Sequence, residues 1–304
     1  MNCGGAVVEI FRVRSARAVD NNKTEQKEGS VASLAEPSLA KSVADAARPD
    51  NLYVFARYTF FYTTPHHRPF RLQPHSATIL LNAYGEPFKV MVGKRSYSTR
   101  AIAFGSLVSR QIIAPSSGLI ALFVMPESPL FPRFVSLGPE RFRLLDRDAL
   151  ATADEDFVAL YEGHAEQDQA MRAYQRLTGL LGEGGTDATT WHRARELMQL
   201  IAENPGLSLE ELAAAHRITY SWMSRLFSHS VGIPLRDYKN WLRRRKVWEL
   251  LATNLSLTEI AHRAGFSDSA HLSRTYRRWF GMTPSESRRR KNVRYFSFPF
   301  DGHR

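Results

Sequence analysis

The sequence predicts an α+β protein with two folded parts, a β-rich part at residues 51–153 and an all-α part at residues 191–291. Three observations predict this division. Short runs of β-branched and aromatic residues fill residues 52–137, apolar residues recur at near-helical spacing over 154–181, and a unit of two predicted helices occurs twice after Leu207. Strands followed by helices are typical of α+β folds or of separate domains.

Residues 1–50 are predicted to be disordered, because a segment whose one aromatic residue is Phe11 cannot form a core. The run V-V-E-I-F-R-V-R from Val7 carries charges where a secretory signal would be apolar. No stretch approaches the roughly 20 apolar residues of a membrane helix. The single cysteine, Cys3, excludes an internal disulfide and is expected to be an idle surface thiol. These features predict a cytoplasmic protein with no membrane partner.

The β-rich part contains six runs of residues that favour strands. Turn-forming residues separate them, among them Gly85-Glu86-Pro87 and Ser116-Ser117-Gly118. Short strands at this spacing predict a sandwich or a barrel. The predicted strands are 53–62, 77–82, 88–92, 97–104, 107–113 and 119–125.

An amphipathic helix is predicted from about 154 to 181, because Phe157, Leu160 and Tyr161 begin a series of apolar residues at near-helical spacing. Two roles remain open for it. It packs on its own β-rich part, or it forms a dimer with a second chain. The glycine-rich residues 182–190 then predict a flexible linker that separates the two parts of the chain.

The unit that occurs twice begins at Leu207 and again at Leu255. Ser224-Arg225 in the first copy corresponds to Ser273-Arg274 in the second. An internal repeat of this kind indicates that one structural unit has been duplicated. Other matching pairs are Leu212 and Ile260, Phe227 and Tyr276, Gly232 and Gly281, and Pro234 and Pro284.

Each copy has the pattern of a helix–turn–helix. Ser208 and Ser256 each stand three residues before a glutamate, which is the arrangement of a capping box at a helix start. Thr219 and Ser267 are predicted to cap the second helix of each copy. The outward residues of that helix are small, polar or basic, as a helix that enters a DNA major groove requires. The predicted base-reading residues are Tyr220, Ser221, Ser224, Arg225, Ser269, His271, Ser273 and Arg274.

The excess positive charge lies on the same segment. Residues 188–304 contain 20 Lys and Arg against 10 Asp and Glu, whereas the whole chain contains 41 against 30. Neutralising phosphates requires such a bias, so double-stranded DNA is the predicted partner. The basic cluster 243–246 is expected to be a solvated helix face, with phosphate contact as the alternative. The predicted phosphate-binding residues are Arg277, Arg278, Arg288, Arg289, Arg290 and Lys291.

A family resemblance rests on residues between 188 and 291. They are Leu212-Ala213, Ser224-Arg225-Leu226-Phe227, Gly232-Ile233-Pro234, Ile260-Ala261, Gly265-Phe266, Ser273-Arg274, Phe280-Gly281 and Thr283-Pro284. This pattern resembles the DNA-binding domain of the AraC/XylS family of bacterial transcription regulators. The resemblance implies an all-α domain with two helix–turn–helix motifs joined by a long helix from Pro234 to about Ala252. Arg217 stands where the family has glycine, and Ser287 stands where it has an aromatic residue.

The run from His75 to about Pro132 resembles the cupin-like N-terminal domain of many such regulators. The resemblance implies an N-terminal cupin-like β-barrel that binds a small-molecule effector. It also implies a homodimer, and RNA polymerase as a partner if the protein is an activator. Residues 154–190 would then be the helix and linker, and residues 292–304 a C-terminal tail.

An enzyme is the main rival interpretation. A cupin metal site needs His-x-His followed by a glutamate, and His66, His67 and His75 do not have this spacing. No P-loop, GxSxG or HExxH motif occurs in the sequence. We therefore expect no catalytic residue, metal or cofactor, and a transcription regulator rather than an enzyme. A cupin-type metalloenzyme fused to a DNA-binding domain and a DNA-binding protein without an effector remain the alternatives.

Overall fold

The computed structural model describes residues 50–55, 58–64, 71–114, 117–135, 137–138, 140–182, 187–251, 253–280, 282–289 and 291–295. The segment predicted to be disordered lies outside the described residues except for Asp50, and so do Cys3, His66 and His67. None of the helices described here has the length and apolar content needed to cross a lipid bilayer.

The strands fall almost entirely in the first half of the chain. They are β1 (Asp50–Phe55), β2 (Thr59–Thr63), β3 (Arg71–Leu72), β4 (Ala77–Asn82), β5 (Phe88–Val92), β6 (Arg95–Thr99), β7 (Ala101–Phe104), β8 (Arg110–Ala114), β9 (Leu119–Val124), β10 (Phe142–Leu144) and β11 (Lys291–Tyr295).

The helices follow the strands, apart from one short helix before β10. They are α1 (Pro132–Val135), a 3₁₀ helix (Asp148–Ala153), α2 (Asp154–Glu162), α3 (Gln167–Gly179), α4 (Ala188–Glu203), α5 (Leu209–Ala215), α6 (Tyr220–Val231), α7 (Leu235–Leu251), α8 (Leu257–Arg263), α9 (Ser269–Phe280) and α10 (Pro284–Arg289). The predicted α+β class is confirmed.

The described strands form two open sheets, so the expected closed barrel is wrong. The large sheet has the order β10-β7-β4-β9-β2-β1-β11, and the small sheet has the order β3-β8-β5-β6. The chain changes sheets between β6 and β7. There the Thr99 hydroxyl donates to the Ala101 carbonyl and accepts from the Ala101 amide. These two bonds form a corner that directs β7 away from β6 and into the other sheet. The two described sheets therefore have separate edge strands.

The centre of the large sheet is covered on both faces. Every residue of β4 is buried. Ile79 and Leu81 join the core shared with the helices, whereas Leu80 joins a second core with Phe88 and Val90 of the small sheet. Successive side chains of a strand point to opposite faces, so each face of β4 supplies a different core.

Two predicted strands are each two strands. Residues 53–62 form an antiparallel hairpin of β1 and β2, in which Tyr53 pairs with Phe61. Residues 97–104 belong to β6 and β7, which lie in different sheets. Neither turn contains the glycine or proline that marks most turns, so apolar composition alone predicted a continuous strand.

The long amphipathic helix predicted over residues 154–181 is two helices. Gly163 ends α2 in the left-handed conformation, with φ 87°. Glu166 then starts α3 with a capping box that includes Gln169. Phe157, Leu160 and Leu177 are fully buried in the shared core. The apolar faces of these helices therefore pack within their own chain. This is the first of the two roles that the sequence left open for the segment.

The two halves of the chain share one hydrophobic core. This core continues from Ile79 of the large sheet through Phe157 of α2 to Met223 and Phe227 of α6. Residues 183–186 of the predicted linker lie outside the described residues, and α4 already begins at Ala188. The chain ends with β11, which pairs in parallel with β1 at the edge of the large sheet.

Candidate DNA-binding surface and interdomain pocket

The first helix pair, α5 and α6, has the predicted local structure. Ser208 and Glu211 form the expected capping box. The Thr219 hydroxyl accepts from the Trp222 amide at 3.2 Å and caps α6. The inner face of α6 buries Met223 and Phe227 completely. Of the predicted base-reading residues on its outer face, Tyr220, Ser221 and Arg225 are exposed and Ser224 is half-buried.

The second pair, α8 and α9, repeats this arrangement. Ser256 and Glu259 form its capping box. The predicted cap at Ser267 is wrong, because the carboxylate of Asp268 accepts from the His271 amide at 2.6 Å. The Ser267 hydroxyl instead bonds to the Asp268 and His271 side chains. An ionised carboxylate at a helix N-terminus accepts more strongly than a hydroxyl and also meets the positive end of the helix dipole.

The outer face of α9 carries the second set of predicted contacts. His271 and Arg274 are exposed, and Ser269 and Ser273 are half-buried. Arg277 and Arg278, predicted to bind phosphates, are exposed on the same helix. Arg274, Arg277 and Arg278 make no ion pair among the described residues. Their charges are therefore available to an anionic partner.

The turn of the first pair holds a non-glycine residue in the left-handed region. Arg217 has φ 56° there, and Gly265 has φ 76° at the equivalent position of the second pair. A side chain makes this conformation costly, and glycine adopts it readily. The first turn therefore keeps the geometry of the second at a conformational cost.

The last helix, α10, docks through polar contacts. Ser287 is buried and accepts a 2.7 Å hydrogen bond from the Tyr276 hydroxyl. Arg288 donates to the Leu255 carbonyl at 2.9 Å, which joins α10 to the start of the second helix pair. Arg288 is thus held against the protein. The side chains of Arg289, Arg290 and Lys291 lie outside the described residues.

The basic cluster on α7 is a solvated face only in part, because Arg243 and Lys246 are exposed whereas Arg244 and Arg245 are half-buried. Arg243 donates to the Gly265 carbonyl and lies over the Phe266 ring. Arg244 lies over the Trp279 ring, 4.6 Å from its centroid. Arg245 forms a 2.8 Å ion pair with Glu127 of the N-terminal half. The sequence showed the charges but not the partners, which come from distant elements.

Glu127 is the polar centre of the contact between the two halves. Its carboxylate is buried and accepts from the Tyr238 hydroxyl at 3.1 Å and the Trp241 indole at 3.2 Å, in addition to Arg245. All three donors lie on α7, the helix that joins the two helix pairs. Burial and the negative charge of Glu127 raise the pKa of Tyr238 well above its usual value. No motif in the sequence marks this residue.

A cavity of about 220 Å³ lies between the two sheets and the C-terminal helices. Its wall includes Leu80 of the large sheet and Ile112 of the small sheet. Trp241 and Trp248 of α7 and Trp279 of α9 also line it. The cavity therefore touches both the β-rich half and a helix that carries predicted DNA contacts. Pockets of this kind, mostly apolar and at a domain boundary, are typical ligand sites.

Buried cationic groups line this cavity. Arg110 of β8 is 2% exposed, and its Nη2 donates to the Thr78 hydroxyl at 2.8 Å. Its Nε has no hydrogen-bond partner, and its guanidinium lies 4.4 Å from the Phe104 ring centroid. Burial lowers the pKa of Arg110 to about 9, which leaves it charged at neutral pH. A lone arginine inside an apolar strand was the sequence signal that could have revealed this group.

His75 also faces the cavity. Burial and the positive charge of Arg244 lower its pKa to about 3, and the backbone of Asp237 offsets this only in part. The imidazole is therefore neutral at physiological pH and lies 6.4 Å from Trp241 between ring centroids. Within the described ranges, no three His, Cys, Asp or Glu side chains converge as a metal site.

Comparisons with known proteins agree with this geometry. A family model described as a helix-turn-helix domain matches residues 212–290. The uncharacterized HTH-type transcriptional regulator YpdC of Escherichia coli is 37% identical over 81 residues, which cover 26% of this chain and 28% of YpdC. The HTH-type transcriptional activator RhaS of Escherichia fergusonii is 29% identical over 152 residues, which cover 50% of this chain and 54% of RhaS. The chain thus spans about half or less of these relatives.

The sequence identity to similar solved structures is lower. ToxT from Vibrio cholerae O395 aligns with 76% of this chain and 95% of its own, at 12% identity and a TM-score of 0.47. ToxT from another strain of that organism, with a bound unsaturated fatty acid, aligns at 10% identity and a TM-score of 0.45, over 76% of this chain and 95% of its own. Residues 212–290 thus match a helix-turn-helix domain, and the chain is similar over part of its length to the transcriptional regulators YpdC and RhaS.

Proposed function

We propose that this protein is a sequence-specific DNA-binding transcription regulator whose two helix–turn–helix pairs, α5–α6 and α8–α9, both read DNA. The duplication carries the proposal. Each pair presents an N-terminally capped helix with an exposed arginine at the equivalent position, Arg225 or Arg274. Because α7 joins the pairs as one helix, the two readers would contact successive major grooves on one face of the DNA.

We assign different contacts to different parts of this surface. The N-terminal residues of α6 and α9, from Tyr220 to Arg225 and from Ser269 to Arg274, are assigned to base edges, because that end of a recognition helix enters the groove. Arg277 and Arg278, one turn further along α9, are assigned to phosphates. Arg288 is left out of the phosphate contacts, because its guanidinium already bonds to the Leu255 carbonyl.

The interdomain cavity supports control by a small organic effector. Its wall includes residues of both sheets and of α7 and α9, so a bound molecule would contact the readers and the β-rich half together. A ligand shifts such an equilibrium only by its different affinity for two arrangements of the halves. The expected change in DNA affinity corresponds to a coupling of about 1–3 kcal/mol.

The N-terminal half is proposed to be the sensor, a two-sheet relative of the cupin-like domains. The homodimer stays a prediction, and α2 and α3 are poor candidates for its interface because Phe157 and Leu177 already pack inside the chain. Contact with RNA polymerase is proposed only for a protein that activates transcription.

Selection of DNA from a random pool by the full-length protein tests the proposal. We expect an enriched site with two short conserved segments, whose centres lie about 10–10.5 base pairs apart because the readers occupy successive major grooves. Arg225→Ala should lose the preference in one segment and Arg274→Ala in the other. A pool that shows no enrichment would refute sequence-specific binding, and a single conserved segment would refute the use of both readers.

A further inference from the structure

The two helix pairs pack differently on the β-rich half. The first pair, α5–α6, shares its core with the sheets, since Met223 and Phe227 belong to the same buried cluster as Ile79 of β4. The described residues of the second pair, α8–α9, form a core of their own around Ile260 and Leu272, together with the end of α7. A unit with its own core can move as a whole, because its motion does not open the core of its neighbour.

Much of the second pair is separated from the sheets by the cavity of about 220 Å³. Its wall includes Tyr276 and Met282 on the side of the second pair, and Leu80 and Ile112 on the side of the sheets. Atoms that face an open space lose packing contacts on that side, so packing alone holds the second pair weakly here. Among the strands, α9 also touches the two-residue strand β3.

The C-terminal strand β11 attaches the second pair to the large sheet. The helix before it, α10, is fixed to the second pair, because Tyr276 donates to Ser287 and Arg288 donates to the Leu255 carbonyl. A single residue, at position 290, separates α10 from β11, and all five residues of β11 pair with β1. Consecutive Cα atoms are about 3.8 Å apart, so the second pair stays beside the sheet while this ladder is intact.

From this arrangement we propose that β11 is a clasp, which holds the second helix pair at a fixed position relative to the first and thereby sets the spacing between the two DNA segments. The clasp is a backbone ladder at the edge of the large sheet, where a strand can leave without opening a core. Readers that are already held in one arrangement lose less freedom on binding, so DNA of the matching spacing is favoured. The effect on DNA rests on the proposed function, whereas the clasp itself does not.

Two double variants of the full-length protein separate the backbone of β11 from its side chains. Asn292→Pro with Val293→Pro removes two adjacent amide hydrogens. Alternate residues of a strand direct their amides to the same neighbour, so the prolines remove at least one bond of the ladder. Asn292→Ala with Val293→Ala is the matched control, because it shortens the same side chains and keeps both amides.

Distances between spin labels test the clasp without DNA. In a protein with Cys3→Ser, labels at Lys89→Cys of β5 and Arg263→Cys of α8 follow the second pair, and labels at Lys89→Cys and His216→Cys follow the first. All three labelled positions are exposed. We expect the prolines to broaden the distribution of distances between positions 89 and 263 and to leave that between 89 and 216 unchanged. The alanines should change neither.

Two results of the distance measurement would overturn the clasp. In the proline variant, both distributions stay as narrow as in the alanine variant, or both broaden alike. Circular dichroism shows whether the proline variant is folded. If it is not, a protein that ends at residue 290 takes its place and should give the same selective broadening.

The spacing of the DNA site tests the consequence of the clasp. Two extra base pairs between the segments rotate one segment by about 70° around the duplex. The unchanged protein and the alanine variant should therefore bind the selected site roughly tenfold or more tightly than the lengthened site. In the proline variant this ratio should fall below about threefold, while the preference for the sequence of each segment is kept. A tenfold ratio in the proline variant would overturn the role of β11 in spacing.

The two measurements separate this proposal from the proposed function. A protein that selects no DNA site, but in which the prolines broaden only the distances to the second pair, refutes the regulatory function and supports the clasp. A protein that selects a site of two segments, but in which the prolines leave both distance distributions unchanged, refutes the clasp and supports the regulatory function.

Discussion

Glu127 is the side chain on which the contact between the two halves depends most. Its removal in Glu127→Ala leaves Arg245, Tyr238 and Trp241 without a shared acceptor. Breaking a buried ion pair from one side costs about 3–5 kcal/mol, and we expect the lower end because Arg245 also contacts Glu249. Urea denaturation followed by circular dichroism measures the loss.

A surface ion pair supplies the control for Glu127. Arg95 and Glu140 are 3.4 Å apart, and both side chains are more than half exposed. Solvent screens such a pair, so Glu140→Ala should not change the denaturation midpoint measurably. Equal midpoints for Glu127→Ala and the unchanged protein would show that the buried network does not hold the halves together.

The two turn residues at equivalent positions predict opposite effects on stability. Gly265→Ala places a side chain at φ 76° and should lower the free energy of unfolding by about 1 kcal/mol. Arg217→Gly removes a side chain from φ 56° and should raise the free energy of unfolding. Thermal and urea denaturation check both variants, and effects of the same sign would contradict this account of the first turn.

At the residue scale, local patterns were predictable and distant partners were not. The capping boxes at Ser208 and Ser256 involve residues three positions apart, so the sequence contains the whole motif. The choice of Asp268 over Ser267 as a cap depends on where α9 begins, which a sequence pattern fixes only within a few residues. The partners of Arg245 and Arg288 lie far along the chain.

At the scale of the element, α9 carries two kinds of arginine with different expected effects. Arg274→Ala should reduce the preference for the selected site over scrambled DNA by about 1–3 kcal/mol, as loss of a bidentate base contact does. Arg278→Ala should weaken binding to both duplexes alike and reduce the dependence on salt. Fluorescence anisotropy with both duplexes separates the two effects.

Two results would contradict the assignments of the two arginines on α9. If Arg274→Ala leaves the ratio of the two affinities unchanged, the base contact is assigned to the wrong residue. If Arg278→Ala changes that ratio, it is not a phosphate contact alone. Neither side chain is buried, so loss of folding does not complicate the comparison.

Elements with a strong local pattern were predicted, and boundaries without one were not. The strands at 77–82 and 88–92 match β4 and β5. The linking helix expected from Pro234 to about Ala252 is α7, Leu235–Leu251. The single strand at 53–62 failed because the turn between β1 and β2 lacks glycine and proline. The single helix at 154–181 failed because its apolar spacing continues across Gly163.

At the scale of the whole molecule, the sequence predicted two parts and the structure shows how they join. The continuous core, the Glu127 network and the cavity all require residues from both halves. Such contacts have no sequence period, because their members lie far apart in the chain. The pairing of β11 with β1 is another example, since it brings the end of the chain to the start of the described β-rich half.

The ratio of affinities for the selected and scrambled duplexes, measured over a range of salt concentrations, tests the central claim most directly. At physiological salt we expect the full-length protein to prefer its selected site by roughly 10³-fold or more. Both affinities should fall steeply as salt rises, because phosphate contacts release counterions. A ratio near one at every salt concentration would contradict the claim that the two helix pairs read a DNA sequence.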